Sequence, residues 1–165
     1  MYFNAMIISH ITYCLSCWSQ ADETTLKPLR SVYNQALKVL DKKPLRYHHC
    51  NILSRYKILS FDNLILFTNL RNIFKIVNNI APPPLKKCVQ LYSEQTTRTS
   101  RSTVHRNCAV PKRSSAFAQT AFSFKTIKQW NQLPDSLKCS VDLNIFSRNL
   151  KKYILDNQLC QHQSG

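Results

Sequence analysis

Glycine is almost missing from this chain. Its one glycine is Gly165, the last residue. Loops that cradle phosphate need glycine for positive φ and for close approach of the backbone to the ligand. Neither a P-loop nor a dinucleotide fingerprint can therefore be built. The G-x-S-x-G elbow of serine hydrolases goes with them. Two-residue hairpins favour Asn-Gly or Asp-Gly, so tightly turned sheets are disfavoured. Helices joined by Pro, Asn and Ser fit better.

Acidic residues are scarce too. There are 8 Asp and Glu against 23 Lys and Arg, a formal charge of +15 and a pI near 9.8. Such a balance speaks of partners and not of fold. Nucleic acid is the first expectation and an anionic membrane surface the second. A basic face turned only to water is the bland alternative. The hydrophobic fraction of 44% is enough for a core. At 165 residues the chain reads as one domain, or one domain with an appendage.

No long apolar run is present. MYFNAMIISHITYCLSCW is interrupted by Asn4, Ser9, His10, Thr12 and Ser16, whereas a spanning helix wants about 20 mostly apolar residues. It has neither the charged start nor the small-residue cleavage site of a signal peptide. It reads as a buried helix of a globular domain. An intracellular chain, nuclear or cytoplasmic and not secreted, is expected, with no membrane partner.

Cysteines stand at 14, 17, 50, 88, 108, 139 and 160, an odd number at irregular spacing. Free thiols in a reducing compartment account for them. Cys14 and Cys17 form a C-x-x-C, with His48, His49 and Cys50 well downstream. Zinc prefers two short-spaced ligand pairs, and the second pair is crowded here. Cys14 and Cys17 sit among apolar residues, where thiols act as small hydrophobes, so they are expected to be buried. No metal or cofactor is expected. Cysteine–histidine catalysis has no sequence-local signature to support it.

Helical units come next. Asp22, Glu23, Thr24 and Thr25 carry N-terminal capping chemistry for a helix over 22–42, and Pro28 suits a first turn. Leu26, Leu29, Tyr33, Ala36, Leu37 and Leu40 mark its apolar face. Lys27, Arg30, Lys38, Lys42 and Lys43 fall off it. A short helix spans His49 to Tyr56. A longer one runs from Phe61 to Asn79, capped by Ser60 or Asp62, with Leu64, Phe67, Leu70, Phe74 and Val77 inward. Pro82-Pro83-Pro84 stop it. A further short helix is expected over Leu85 to Tyr92.

Composition shifts after residue 93. No acid occurs from Gln95 to Ser115, while Arg98, Arg101, Arg106, Lys112 and Arg113 lie among Thr, Ser and Asn. Those residue types contact phosphates. A solvated loop is the alternative. The stretch PKRSSAFAQTAFSFKTIKQWNQLP then brings in Phe117, Phe122, Phe124, Ile127, Trp130 and Leu133. Phe122 and Phe124 alternate like a short strand, and Ile127, Trp130 and Leu133 step like a helix. Aromatics beside cations can stack on bases, but this stripe reads as core. Ser140 or Asp142 caps a last helix, with Ile145, Phe146, Leu150, Tyr153 and Ile154 inward and Arg148, Lys151 and Lys152 outward.

The order of motifs resembles one family. YFNAMIISHITYCLSCW is similar to the Tyr-x-Ser-Leu-Ile-x-Pro-His-Leu-x-Tyr-Cys-x-x-x-Trp segment of LINE-type, non-LTR retrotransposon reverse transcriptases. LKPLRSVYNQALKVL, IVNNIAPPPL, TRTSRS and FKTIKQWNQLPDSLKCSVDLNIFSRNLKKYIL resemble, in the same order, the family's next helix, its Asn-x-x-x-Pro-x-x-Leu turn, its Thr-Arg-Ser element and its Trp-Asn-x-Leu-Pro ending. Nearly the whole chain is covered. The resemblance implies the region C-terminal to the catalytic palm, meaning the thumb and the segment beyond it, with the palm as a missing partner. The family's palm carries a Phe/Tyr-x-Asp-Asp hairpin whose carboxylates hold metal ions. No Asp-Asp pair occurs here, so the chain is not expected to be an enzyme by itself.

The reading is a mainly α chain: a small helical bundle with a basic irregular arm, a C-terminal helical unit and room for one short strand pair. Residues 1–93 form the thumb-like bundle, 94–115 the arm or linker, 116–160 the aromatic unit and 161–165 a tail. The expected role is non-catalytic binding of RNA or an RNA–DNA hybrid through Arg98, Arg101, Arg106, Lys112 and Arg113, with no small-molecule substrate. The alternative is a helical protein-interaction module, or a decayed retroelement remnant.

Overall fold

The computed structural model describes residues 3–95 and 106–158. They are mainly helical, and no strand occurs among them. The helices of two turns or more are α1 (Glu23–Leu40), α2 (His49–Tyr56), α3 (Phe61–Val77), α4 (Phe122–Asn131) and α5 (Leu143–Asp156). Single turns lie between them. The chain divides into two compact units, Met1–Ile65 with Lys151–Gly165, and Leu66–Leu150. The division falls inside α3 and inside α5, and the C-terminal aromatic residues share a core with the second half of α3.

In the first unit the N-terminal segment is not one buried helix. A π-helical turn at Asn4–Ile8 leads to α-turns at Ser9–Thr12 and Leu15–Trp18, separated by extended Tyr13 and left-handed Cys14 (φ 47°). Side-chain hydroxyls compete here for the backbone: Thr12 Oγ1 donates to the Ile8 carbonyl at 2.8 Å, and Ser9 Oγ to that of Ala5. Phe3 and Leu15 turn inward, whereas Met6 and Tyr13 are exposed. Cys14 and Cys17 are also exposed, which corrects the expectation of buried thiols. The broken helix carries both of them on its outer side.

Asp22 caps α1 by accepting from the Thr25 amide at 3.1 Å. Hydrogen bonds from Thr25 and Thr24 hold its carboxyl below the ordinary value. Pro28 lies inside the helix, beyond the first turn, so the Thr24 carbonyl loses its usual intrahelical donor. The Arg30 guanidinium holds this end of α1 in place by bonding both Glu23 and Asp62. Leu26, Tyr33 and Leu37 form the buried stripe, narrower than the pattern predicts, since Leu29 and Leu40 are exposed. The Tyr33 hydroxyl donates to the Leu59 carbonyl at 2.7 Å, and its ring meets Phe3 and Phe61. Ser60 caps α3, accepting from the Asn63 amide.

The core of the second unit gathers Leu70, Ile73, Phe74 and Ile76 of α3 with Ile127, Trp130, Phe146 and Leu150. Phe74 stacks on Phe146 with ring centres 4.2 Å apart, and Trp130 tilts against the same ring. The helical reading of Ile127 and Trp130 thus holds, and Phe122 and Phe124 belong to α4 rather than to a strand. In α5, Phe146, Leu150 and Ile154 are buried, while Ile145 and Tyr153 face outward. No helix spans Leu85 to Tyr92. Turns at Pro83–Lys86 and Tyr92–Gln95 flank that stretch. An isolated antiparallel bridge between Leu91 and Cys108 diverts the backbone, with Tyr92 N–H on the Asn107 carbonyl and Ala109 N–H on that of Gln90.

The scarcity of glycine shows at the helix ends. Lys42, Lys57 and Asn79 take the left-handed position after α1, α2 and α3, with φ of 50°, 51° and 57°. Each end closes with the paired bonds of a Schellman motif. For α1 these are Lys43 N–H to the Lys38 carbonyl and Lys42 N–H to that of Val39; the same pattern links Ile58 to Leu53 and Ile80 to Lys75. Glycine is the usual residue at such positions.

Candidate nucleic-acid interface

Of the predicted contact residues, Arg98 and Arg101 lie outside the described residues. Lys112 and Arg113 are exposed. Arg106 is different. Its guanidinium donates to Asn78 Oδ1 at 2.8 Å and to the Lys138 carbonyl at 3.2 Å, and its φ is 51°. It is built into the second unit as an anchor.

The Trp-Asn pair explains the aromatic bulk after the basic stretch. Trp130 Nε1 donates to the Arg106 carbonyl at 3.0 Å. The Asn131 carboxamide accepts from Cys108 N–H and donates to Cys108 C=O, both at 2.9 Å. These side chains grip the backbone of Arg106 and Cys108. Lys138 completes the clamp. Its amine is buried and donates to Asn107 Oδ1 at 2.8 Å and to the Asn131 carbonyl at 3.2 Å, with Asp135 at 3.6 Å. Cys108 is fully enclosed, and desolvation pushes its thiol up to about 12. The sequence places Lys138 among the cations without marking it as internal; only its position after Trp-Asn-x-Leu-Pro hints at that.

Other cations are shown to be surface residues. Lys128 lies over the Phe124 ring at 4.2 Å, and Arg148, Lys151 and Lys152 are exposed on α5. A basic group missed by the sequence reading lies where α1 and α2 end. Asp41 Oδ1 accepts from Tyr56 Oη at 2.7 Å and meets Arg55 Nη1 at 3.4 Å. That carboxylate pushes the Tyr56 phenol above its ordinary value. Lys43 stands over the Tyr47 ring at 5.2 Å, and the Lys38 amine bonds the Leu45 carbonyl.

The acids are mostly committed to local structure. Asp22 and Asp142 cap helices, while Glu23, Asp41, Asp62, Glu94 and Asp135 meet arginine or lysine. Among the described residues no His, Cys, Asp and Glu cluster suits a metal ion, and no helix is long and apolar enough to cross a membrane. No protein-family model matches the chain, and no curated protein or solved structure is similar to it.

Proposed function

We propose that the chain is a non-catalytic nucleic-acid-binding module, a thumb-like piece of a non-LTR retrotransposon reverse transcriptase. It contacts the backbone of an RNA–DNA duplex through lysine and arginine. One observation carries the reading: the chain has a net charge of +15, and Lys112, Arg113, Lys128, Arg148, Lys151 and Lys152 are exposed, while most of the acids cap helices or meet a cation. Such contacts position a protein on a duplex and carry little base information. Lys112 and Arg113 are exposed and serve as contacts, whereas the Arg106 guanidinium bonds Asn78 and the Lys138 carbonyl and serves as an anchor. Polymerisation is assigned to the missing palm.

A second reading, a protein-interaction module, is favoured by the exposed Leu29, Val32 and Val39 on α1. Binding of a labelled RNA–DNA hybrid to the purified chain separates the two. The nucleic-acid reading expects a dissociation constant of about 10⁻⁴–10⁻⁶ M at physiological salt, tightening as salt is lowered, and no primer extension. A folded chain that ignores the hybrid at low salt and self-associates supports the second reading instead.

A further inference from the structure

We propose a second phosphate-contact site at the converging C-terminal ends of α1 and α2, built on Lys42 and Lys57. It rests on the nucleic-acid reading and gives the first unit its own hold on the duplex backbone.

The geometry comes from Asp41. Its carboxylate ties the last turn of α2 to the end of α1 through Arg55 and Tyr56. Lys42 follows Asp41 directly and Lys57 follows Tyr56 directly, so each left-handed lysine is the next residue in the chain after a member of the Asp41 contact. Both are exposed, as is Arg46, and the Arg55 side chain is 66% exposed. The one acid there, Asp41, has a side chain only 8% exposed and is already held. The outward field of this corner is therefore cationic.

The backbone supplies the second observation. Lysine has no steric excuse for a left-handed helix end, and no short polar side chain to bond locally as asparagine has. Helix dipoles do attract cations to a C-terminus. Lys38 and Arg55 already stand in the last turns of α1 and α2, so the dipoles do not require lysine at the strained position as well. In a chain whose one glycine is Gly165 another residue must take these positions, and at the ends of both α1 and α2 that residue is a lysine. Lysine is a compact point charge, suited to phosphate without base discrimination.

The test is fluorescence anisotropy of the full chain with a labelled RNA–DNA hybrid across salt. It compares wild type with Lys42→Gly/Lys57→Gly, with Asn79→Gly, and with Lys151→Ala/Lys152→Ala as an equal charge loss elsewhere in the unit. Glycine relieves the left-handed positions, so the double variant stays folded, with Tm equal to wild type or raised by about 2–4 °C. Its affinity is expected to fall roughly tenfold at low salt and its log–log salt slope to become shallower by about two. Asn79→Gly and Lys151→Ala/Lys152→Ala are expected to keep nearly the wild-type slope. An unchanged slope in the glycine double variant overturns the site, as does an equal loss in the Lys151/Lys152 variant. So does a loss confined to phosphatidylserine vesicles with hybrid binding intact. A wild-type chain that does not bind the hybrid overturns the nucleic-acid reading itself, and this site with it.

Discussion

The Asn131 carboxamide bonds both backbone polar groups of Cys108, accepting from its N–H and donating to its C=O at 2.9 Å. One side chain thus stands in for a neighbouring strand, for a residue that no sheet reaches on that side. Cys108 is fully buried, so water cannot replace those bonds. We predict that Asn131→Ala destabilises the chain by about 2–4 kcal/mol, the sum of two buried groups left unsatisfied. Urea denaturation measures it; a change below about 0.5 kcal/mol, the usual surface range, would remove Asn131 from the clamp.

Lys138 contributes to the same clamp by hydrogen bonding more than by ion pairing. Its amine donates to Asn107 and to the Asn131 carbonyl, whereas the Asp135 carboxylate is 3.6 Å away and 48% exposed. Solvent screens such a pair. Asp135→Asn is expected to cost less than about 1 kcal/mol, and Lys138→Met about 1–3 kcal/mol, because Asn107 and the Asn131 carbonyl lose their donor. Equal losses in the two variants would make the ion pair the main contribution.

Burial disfavours the ionised form of two weak acids. Desolvation pushes the Cys108 thiol from near 9 up to about 12, and the Tyr33 phenol above its ordinary 10. Both hold their protons more tightly folded than unfolded. The stability they contribute is fully present below the unfolded values and is lost as pH rises through the folded ones. Tm is expected to fall progressively above about pH 9, less steeply in Tyr33→Phe. Iodoacetamide near pH 8 is expected to modify exposed Cys14, Cys17, Cys88 and Cys139 and to spare Cys108 until the chain unfolds. Peptide mapping reads this out, and rapid labelling of Cys108 would contradict its enclosure.

Asn79→Gly tests the helix ends apart from charge. The position after α3 is left-handed, with φ 57°. Glycine there is expected to stabilise by about 0.5–1 kcal/mol, toward the low end because asparagine tolerates this backbone better than most residues. Thermal unfolding measures the gain.

The sequence pattern identified α2 at both ends, because its apolar pair and flanking polar residues leave one register. It also identified the Trp130 and Ile127 core and the Phe146, Leu150 and Ile154 face, where bulky groups repeat at helical spacing. It failed where long-range contacts outweigh local preference. The Leu91–Cys108 bridge cancels a helix over Leu85–Tyr92, and Arg30 supports a helix that carries Pro28 internally. Arg106 and Lys138 carry the same charge as their exposed neighbours, so no local pattern distinguishes an anchor from a contact. The pattern places Lys42 off the apolar face of α1 and does not single out Lys57, and the left-handed backbone of both is set by how α1 and α2 end.

The central claim is best tested by the salt dependence of hybrid binding by the wild-type chain. The account predicts that log affinity falls linearly with log salt, with a steep slope of several units, about one for each phosphate neutralised. A flat response, or no binding by a folded chain at low salt, would contradict it.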